Sequence, residues 1–317
     1  MNLIGALVRS VSLMFLLVAA SSACSQTGID DLSTDTILTP GADFGAGHGS
    51  LSIDYSHPFF HGDYVGPAAK DSGQVSFQTV DLEAAYFVAD RWELRLGLPF
   101  SRAKYSGNFA HPQLPCPPNC APVFVDNGDY HSSWVDWDAG VSYHAVVGDN
   151  YYVTPSADLY VPSNNYQYYG SAVVGQRLTK FGTGVLVQHQ LDFSDLYFAG
   201  HFQYVFMPKT LGINADYYDF GFDFGYFINP QVGIRAVSDV KIGYGHTDNQ
   251  INASCCSGPL WALHDKFRMQ DHANIGGAID YTFNDSYLLS ATLTRSIWGL
   301  GNAVLVYDID LKLTRSF

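Results

Sequence analysis

Carboxylates in this chain tend to recur two residues apart. Asp81 and Glu83, Asp136 and Asp138, and Asp308 and Asp310 keep that spacing, and Asp219 and Asp223 keep it with one position skipped. In an extended strand, residues two apart point to the same face, so each pair presents both carboxylates on one side. The same register adds Glu93, Asp158, Asp192, Asp239 and Asp280 to that side, with Arg95, Arg235, Lys241, Arg268 and Lys312 as the cations among them. Two chemistries suit such a face. Rings of carboxylates around an aqueous passage favour cations or neutral polar solutes. Alternatively, ion pairs and hydrogen bonds fill a narrow barrel and hold it rigid. Residue type and spacing leave both open. Neutralising Asp219 and Asp223 is expected to lower cation preference if the passage is open, and unchanged selectivity would count against this register.

Covalent chemistry has thinner support. HSSW at 131–134 offers a histidine and two serines on one loop edge. Nothing marks a third group to orient the base, and no G-x-S-x-G turn occurs, so no catalytic residue is assigned. His144 and His201 read as polar wall residues rather than ligands. Cys116 and Cys120 in LPCPPNCAP, and Cys255 and Cys256 in NASCCSG, fall in the two longest connections. Exported cysteines pair as disulfides. A 116–120 bridge is the expectation, because chain neighbours such as 255 and 256 lie too close for an unstrained bond. Sequence does not fix the pairing of four cysteines. Together with His111, His131 or His264 they match no standard zinc spacing, so no metal or cofactor is expected.

The acids are carried by alternating segments. WELRLGLPF sets Trp92, Leu94, Leu96, Leu98 and Phe100 against Glu93, Arg95 and Gly97. WVDWDAGVSYHAV sets Val135, Trp137, Ala139, Val141 and Tyr143 against Asp136, Asp138 and His144. YYDFGFDFGY sets Tyr218, Phe220, Phe222, Phe224 and Tyr226 against Asp219, Gly221, Asp223 and Gly225. At the end of the chain, AVLVYDIDLKLTRSF sets Leu305, Tyr307, Ile309, Leu311, Leu313 and Phe317 against Asp308, Asp310 and Lys312. This pattern predicts strands over 48–57, 74–88, 92–105, 133–147, 151–161, 182–193, 196–207, 214–227, 231–245, 267–283, 287–298 and 303–317. Short connections at 89–91, 148–150, 194–195, 228–230 and 284–286 alternate with long ones at 58–73, 106–132, 162–181 and 246–266. That asymmetry is expected of a transmembrane barrel with short periplasmic turns and long external loops. The stretch GSAVVGQRLTKFGTG at 170–184 could form a strand, but a further strand there would break the alternation, so a loop with at most a helical turn is expected.

Composition indicates which solvent meets the apolar faces. The chain holds 30 Gly, 21 Tyr and 21 Phe in 317 residues, with only 15% charged, which suits an all-β protein. Its formal charge of −14 and the lack of a basic run exclude a phosphate-backbone binder, so no nucleic acid partner is expected. No apolar run after the leader is long enough for a membrane helix. Aromatic residues gather near strand ends, at Trp92, Phe100, Tyr105, Trp134, Tyr151, Tyr160, Tyr226, Tyr287 and Phe317, as in the girdles of a lipid-facing wall. A closed barrel also leaves no unpaired edge in lipid. The expected fold is therefore all-β: a single transmembrane antiparallel up-and-down β-barrel of about 12 strands, ending in Phe.

Residues 1–23 read as a secretory signal peptide, with Arg9, an apolar stretch from Val11 to Ala20, and the small residues Ser21, Ser22 and Ala23. Cys24 follows, but Ser21 stands where a lipobox carries Leu, which argues against lipid attachment. Residues 24–47 read as an N-terminal periplasmic tail or plug, and 48–317 as the barrel.

Three stretches, ADRWELRLGLPFSRAKY at 89–105, YYVTPSADLYVPS at 151–163 and YDFGFDFGYFINPQVGIRA at 218–236, carry a family resemblance. In spacing and in the prolines of the third and fifth strands, the chain resembles outer-membrane porin-like proteins of the MetA-pathway phenol-degradation family. The resemblance spans most of 48–317. It implies a substrate-uptake channel in the outer membrane of a Gram-negative bacterium, with no catalytic residues to carry over. Planar solutes would stack on Tyr166, Tyr168 and Tyr169 in YVPSNNYQYYG. The expected partners are outer-membrane lipid, a small-molecule solute, and the barrel-assembly machinery, which would read Phe317; oligomeric state is open. The alternatives are a membrane-embedded hydrolase and a closed structural barrel.

Overall fold

The computed structural model describes residues 45–65, 68–108, 126–148, 150–191, 194–210, 214–244, 271–284, 286–300 and 303–317, and these contain strands, turns and loops but no helix. Residues 1–23, expected as a signal peptide, residues 24–44, all five cysteines, Asp192, Arg268, His111 and His264 lie outside the described residues. Fifteen strand segments follow one another: β1 (Gly49–Val65), β2 (Ala68–Ala89), β3 (Trp92–Gly97), β4 (Phe100–Ser106), β5 (His131–Trp134), β6 (Asp136–Tyr143), β7 (Ala145–Gly148), β8 (Tyr151–Pro162), β9 (Lys180–Gln190), β10 (Leu196–Phe206), β11 (Tyr217–Asn229), β12 (Val232–Gly243), β13 (Asp271–Asn284), β14 (Tyr287–Leu300) and β15 (Ala303–Ser316). β3 and β4 form one stave broken at Leu98 and Pro99. β5, β6 and β7 form another, broken at Val135 and His144. Counted as staves, the chain is a closed 12-strand antiparallel barrel.

Closure is made by β1, which pairs with β2 on one side and β15 on the other. The seam runs to the last residue: Gly49 N donates to Phe317 O at 3.0 Å and Phe317 N to Gly49 O at 2.9 Å. Both ends of the barrel chain therefore meet at the rim that carries the short turns. The expected long connection at 58–73 is mostly strand, because β1 and β2 stay paired up to Val65 and Ala68. Segment 163–179 is a loop, as expected, and β9 starts slightly early, at Lys180.

Alternation places the apolar residues outside. Leu82, Leu94, Leu96, Leu159, Phe202, Phe222, Phe224, Ile279, Leu293, Ile309 and Leu311 are all exposed on the outer wall. A contiguous wall of this kind in water would be an aggregation surface; in lipid it meets its own solvent. Two positions depart from the predicted parity. Trp134 and Trp137 are both exposed while Val135 and Asp136 between them are both buried, so a bulge turns Val135 inward. Pro99 has no N–H for the neighbouring ladder, and Val135 N instead bonds Pro99 O at 2.9 Å. Leu305 is also inside rather than on the lipid face, because the β1–β15 register slips between Phe59 and Phe60. Tyr105 and Tyr160, expected in the girdle, are buried on the inner face.

Candidate functional site: the barrel interior

The inner wall changes character with height. Towards the long-loop end, Phe60, Val75, Phe77, Ala103, Tyr105 and Leu305 point inward and form one apolar cluster with Val135, Tyr166, Ala172 and Val174. The last three belong to segment 163–179, which folds back into the barrel from between β8 and β9. Polar clamps hold it there. The buried Asp126 carboxylate accepts from Ser171 N at 2.9 and 3.0 Å and from Ala172 N at 2.9 Å. The Tyr166 hydroxyl donates to Asp136, and Arg177 N donates to that hydroxyl at 2.8 Å. A carboxylate that accepts several backbone N–H groups is a strong, charge-assisted anchor.

Below this level the interior is charged, and two of its sides differ. Along β9–β14 most of the charges are paired, and Asp219, Asp223, Arg235 and Asp280 are buried. Arg235 reaches Asp223 at 2.6 Å and grips Asp280 with two nitrogens, at 2.9 and 3.0 Å, while Ser290 Oγ donates to Asp280 at 2.5 Å. His201 meets Asp219 at 3.2 Å. His272 bonds Asp239, which also accepts from Asn274 at 3.1 Å. The inward glycines of FGFDFGY make room for these groups. A Cβ on Gly225 would lie 2.1 Å from the Tyr197 ring, so any side chain there collides with a residue wedged beside the Arg235 cluster. Between the two sides, Glu93 bonds the His144 ring at 2.7 Å, and Arg95 bonds Asp158 at 2.6 Å.

Along β15, β1, β2, β3 and β6 the acids are less matched. Across the register, Lys312 lies opposite Asp54 and Asp54 opposite Asp81; one level down, Glu83 lies opposite Gly97 and Gly97 opposite Asp138. Gly97 leaves a gap into which the Asp138 carboxylate leans, since a Cβ there would sit 2.0 Å from Asp138 Oδ2. Lys312 contacts Glu83 at 2.6 Å. Asp138 has no hydrogen bond or ion pair among the described residues; the charges of Asp81, Glu83 and Asp158 repel its own and that of Arg95 attracts it. Asp54, Glu83, Asp138, Asp308 and Asp310 are partly accessible, and so are Arg95, Asp239 and Lys241.

The predicted inner-face residues within the described set fall into two classes of burial. Asp136, Asp158, Asp219, Asp223 and Arg235 are packed away, Asp136 under the infolded segment with Lys180 at 3.8 Å. Asp54, Asp126, Lys180, Gln203 and His272 were not predicted. Asp54 shares the parity of Ser50 and Ser52 and could have been read from it, whereas Asp126 precedes its strand and carries no periodic signal. Of the predicted stacking residues, Tyr166 is buried, so its ring is not offered to a solute. Tyr168 is half-buried, with the Arg177 guanidinium 4.4 Å from its ring centre, and Tyr169 lies edge-on against it. His131 bonds Asn127 at 3.2 Å and Ser133 Oγ donates to Trp134 O at 2.7 Å, so this histidine and serine do not meet. Among the described residues no group of three metal-ligating side chains forms.

No family model matches the chain, and no curated protein is similar to it. Among solved structures, it is similar to an outer membrane channel from Pseudomonas putida F1 at 14% identity, with 86% of this chain and 96% of that one covered and a TM-score of 0.62. It is also similar to the NanC porin at 9% identity, covering 84% and 98% with a TM-score of 0.45. The CymD monoaromatic hydrocarbon channel is 10% identical, covering 86% and 88% with a TM-score of 0.42. At these identities the first likeness speaks for the barrel fold alone, and the other two carry no argument.

Proposed function

We propose that the protein is a narrow outer-membrane channel for small molecules that favours cations and neutral polar solutes. One observation carries the reading: the partly accessible acids of the β15–β1–β2–β6 wall, with Asp138 unpaired among the described residues at their centre. A barrel interior that served only as a rigid filling would give Asp138 a partner, as Asp223 and Asp280 have in Arg235, because an unpaired charge away from water is costly. Their accessibility fits a water-filled crevice along that wall, where fixed carboxylates raise the local cation concentration. The outer-membrane channel of similar fold fits this reading, as does the asymmetry between short turns and long loops.

The solute class is a finer proposal. The resemblance to the phenol-degradation family supports aromatic solutes, for which half-buried Tyr168 and Tyr169 at the mouth are the available rings. Residues 24–47 are proposed as the periplasmic tail or plug, and Phe317 as the residue read by the assembly machinery. Planar-bilayer recording tests the function. Steady cation-selective conductance supports it. A sealed barrel that cleaves lipid or ester would replace it with a hydrolase, and a sealed, inactive barrel would leave a structural role.

A further inference from the structure

Outside the barrel, the strand FSRAKYS turns basic just beyond an aromatic pair. Phe100 on β4 and Trp134 on β5 lie opposite each other with ring centres 5.4 Å apart, and both are exposed on the outer face. Arg102 and Lys104 continue that face towards the long-loop rim, while Ser101, Ala103 and Tyr105 point inward and are buried. For a strand rise of about 3.3 Å and a tilt near 40°, they stand about 5 and 10 Å beyond the ring pair. An aromatic pair of this kind marks the edge of the hydrocarbon region, so both cations lie at headgroup depth.

The two cations are organised around one ring. Arg102 Cζ lies 4.9 Å and Lys104 Nζ 5.7 Å from the centre of Tyr130. Arg102 Nε donates to Gln78 Oε1 at 2.6 Å, which fixes the guanidinium. Its two terminal nitrogens have no hydrogen-bond partner among the described residues, and neither cation has an acidic one. The interior cations Arg95, Lys180, Arg235 and Lys312, by contrast, all contact carboxylates. A planar fork beside a point charge suits a phosphate group, which takes two guanidinium N–H bonds and an ammonium contact. The patch faces away from the interior, so a permeating solute does not reach it.

We infer that Arg102, Lys104 and Tyr130 form a docking site for the phosphorylated headgroup of an outer-leaflet lipid. The inference rests on the outer-membrane orientation proposed above, but not on conduction. The test uses the full chain in detergent, titrated with bis-phosphorylated lipid A and followed by native mass spectrometry. Alongside it run the Arg102→Gln, Lys104→Gln double variant, lipid A stripped of its phosphates, and inorganic phosphate as competitor. The expected result is binding weakened about thirtyfold in the double variant, about fivefold per lost charge, and wild-type binding equally weakened when the lipid lacks phosphate. Equal binding by wild type and variant, or by both lipids, overturns the site. Displacement by inorganic phosphate at matching concentration also overturns it, since that marks a site for the free anion. Both side chains lie on the outer face, so the variant should fold and conduct as wild type does. A wild type that binds the lipid yet fails to conduct would remove the channel reading and leave this one standing.

Discussion

Followed from the long-loop end to the turn end, the inward residues of β2 run Val75, Phe77, Thr79, Asp81 and Glu83. The upper two join the apolar cluster that receives the infolded segment, Thr79 pairs with Ser101 at 2.7 Å, and the lower two enter the acidic wall. One strand with one alternation thus lines two different chambers. Alternation decides which side a residue faces; height along the strand decides what the interior does there. The upper level is packed and the lower level is organised by charge, and under the proposed function these are a constriction and the aqueous vestibule below it.

Four changes would break or sharpen that contrast. The largest effect is expected from Arg235→Ala, which leaves Asp223 and Asp280 buried without their cation and should cost about 3–5 kcal/mol. Urea unfolding of the refolded barrel checks it; a change below about 1 kcal/mol would mean that charge does not hold the lower level together. Next comes excision of residues 167–173 with a short Gly-Ser bridge. Conductance should rise several-fold while the barrel stays folded, and an unchanged current would show that the infolded segment does not set the narrowest point. Third, Glu83→Gln with Asp138→Asn should lower cation preference, with a smaller loss of stability than Arg235→Ala because Glu83, the partner of Lys312, is partly accessible. Asp219→Asn with Asp223→Asn should do the reverse, because those acids are buried in pairs. Reversal potentials and unfolding curves read the two variants side by side. The smallest effect is expected from Asp126→Asn, which weakens the clamp on Ser171 and Ala172 by about 1 kcal/mol and should appear as added current fluctuation.

Much of the fold was legible because a period of two is a strong signal and a lipid-facing wall repeats it in every stave. YYDFGFDFGY needed no structure to show its faces, and even its glycines have a readable cause, the bulk of Tyr197 and His201 opposite them. Misreadings cluster where the period breaks. The bulge at Val135 and the register slip near Leu305 each carry an apolar residue inside, and hydrophobicity alone cannot separate a lipid-facing valine from one in an interior plug. Only the outer part of the β1–β2 hairpin, 58–73, reads as a loop, because HPFFHGDYV lacks clean alternation. The infolded segment was placed correctly as a loop, yet nothing local predicts that it turns inward, since its anchor Asp126 comes from a different connection. Which acids are paired was not legible either. Pairing depends on cross-strand neighbours, such as Asp223 with Arg235, whose register the sequence does not state.

The most direct test is the reversal potential of single channels in a steep potassium chloride gradient, wild type against Glu83→Gln, Asp138→Asn. The expected result is a cation-selective wild type whose preference falls sharply in the double variant while Asp219→Asn, Asp223→Asn keeps it. An anion-selective or silent wild type, or a double variant with the wild-type potential, would contradict an ion path along the acidic wall.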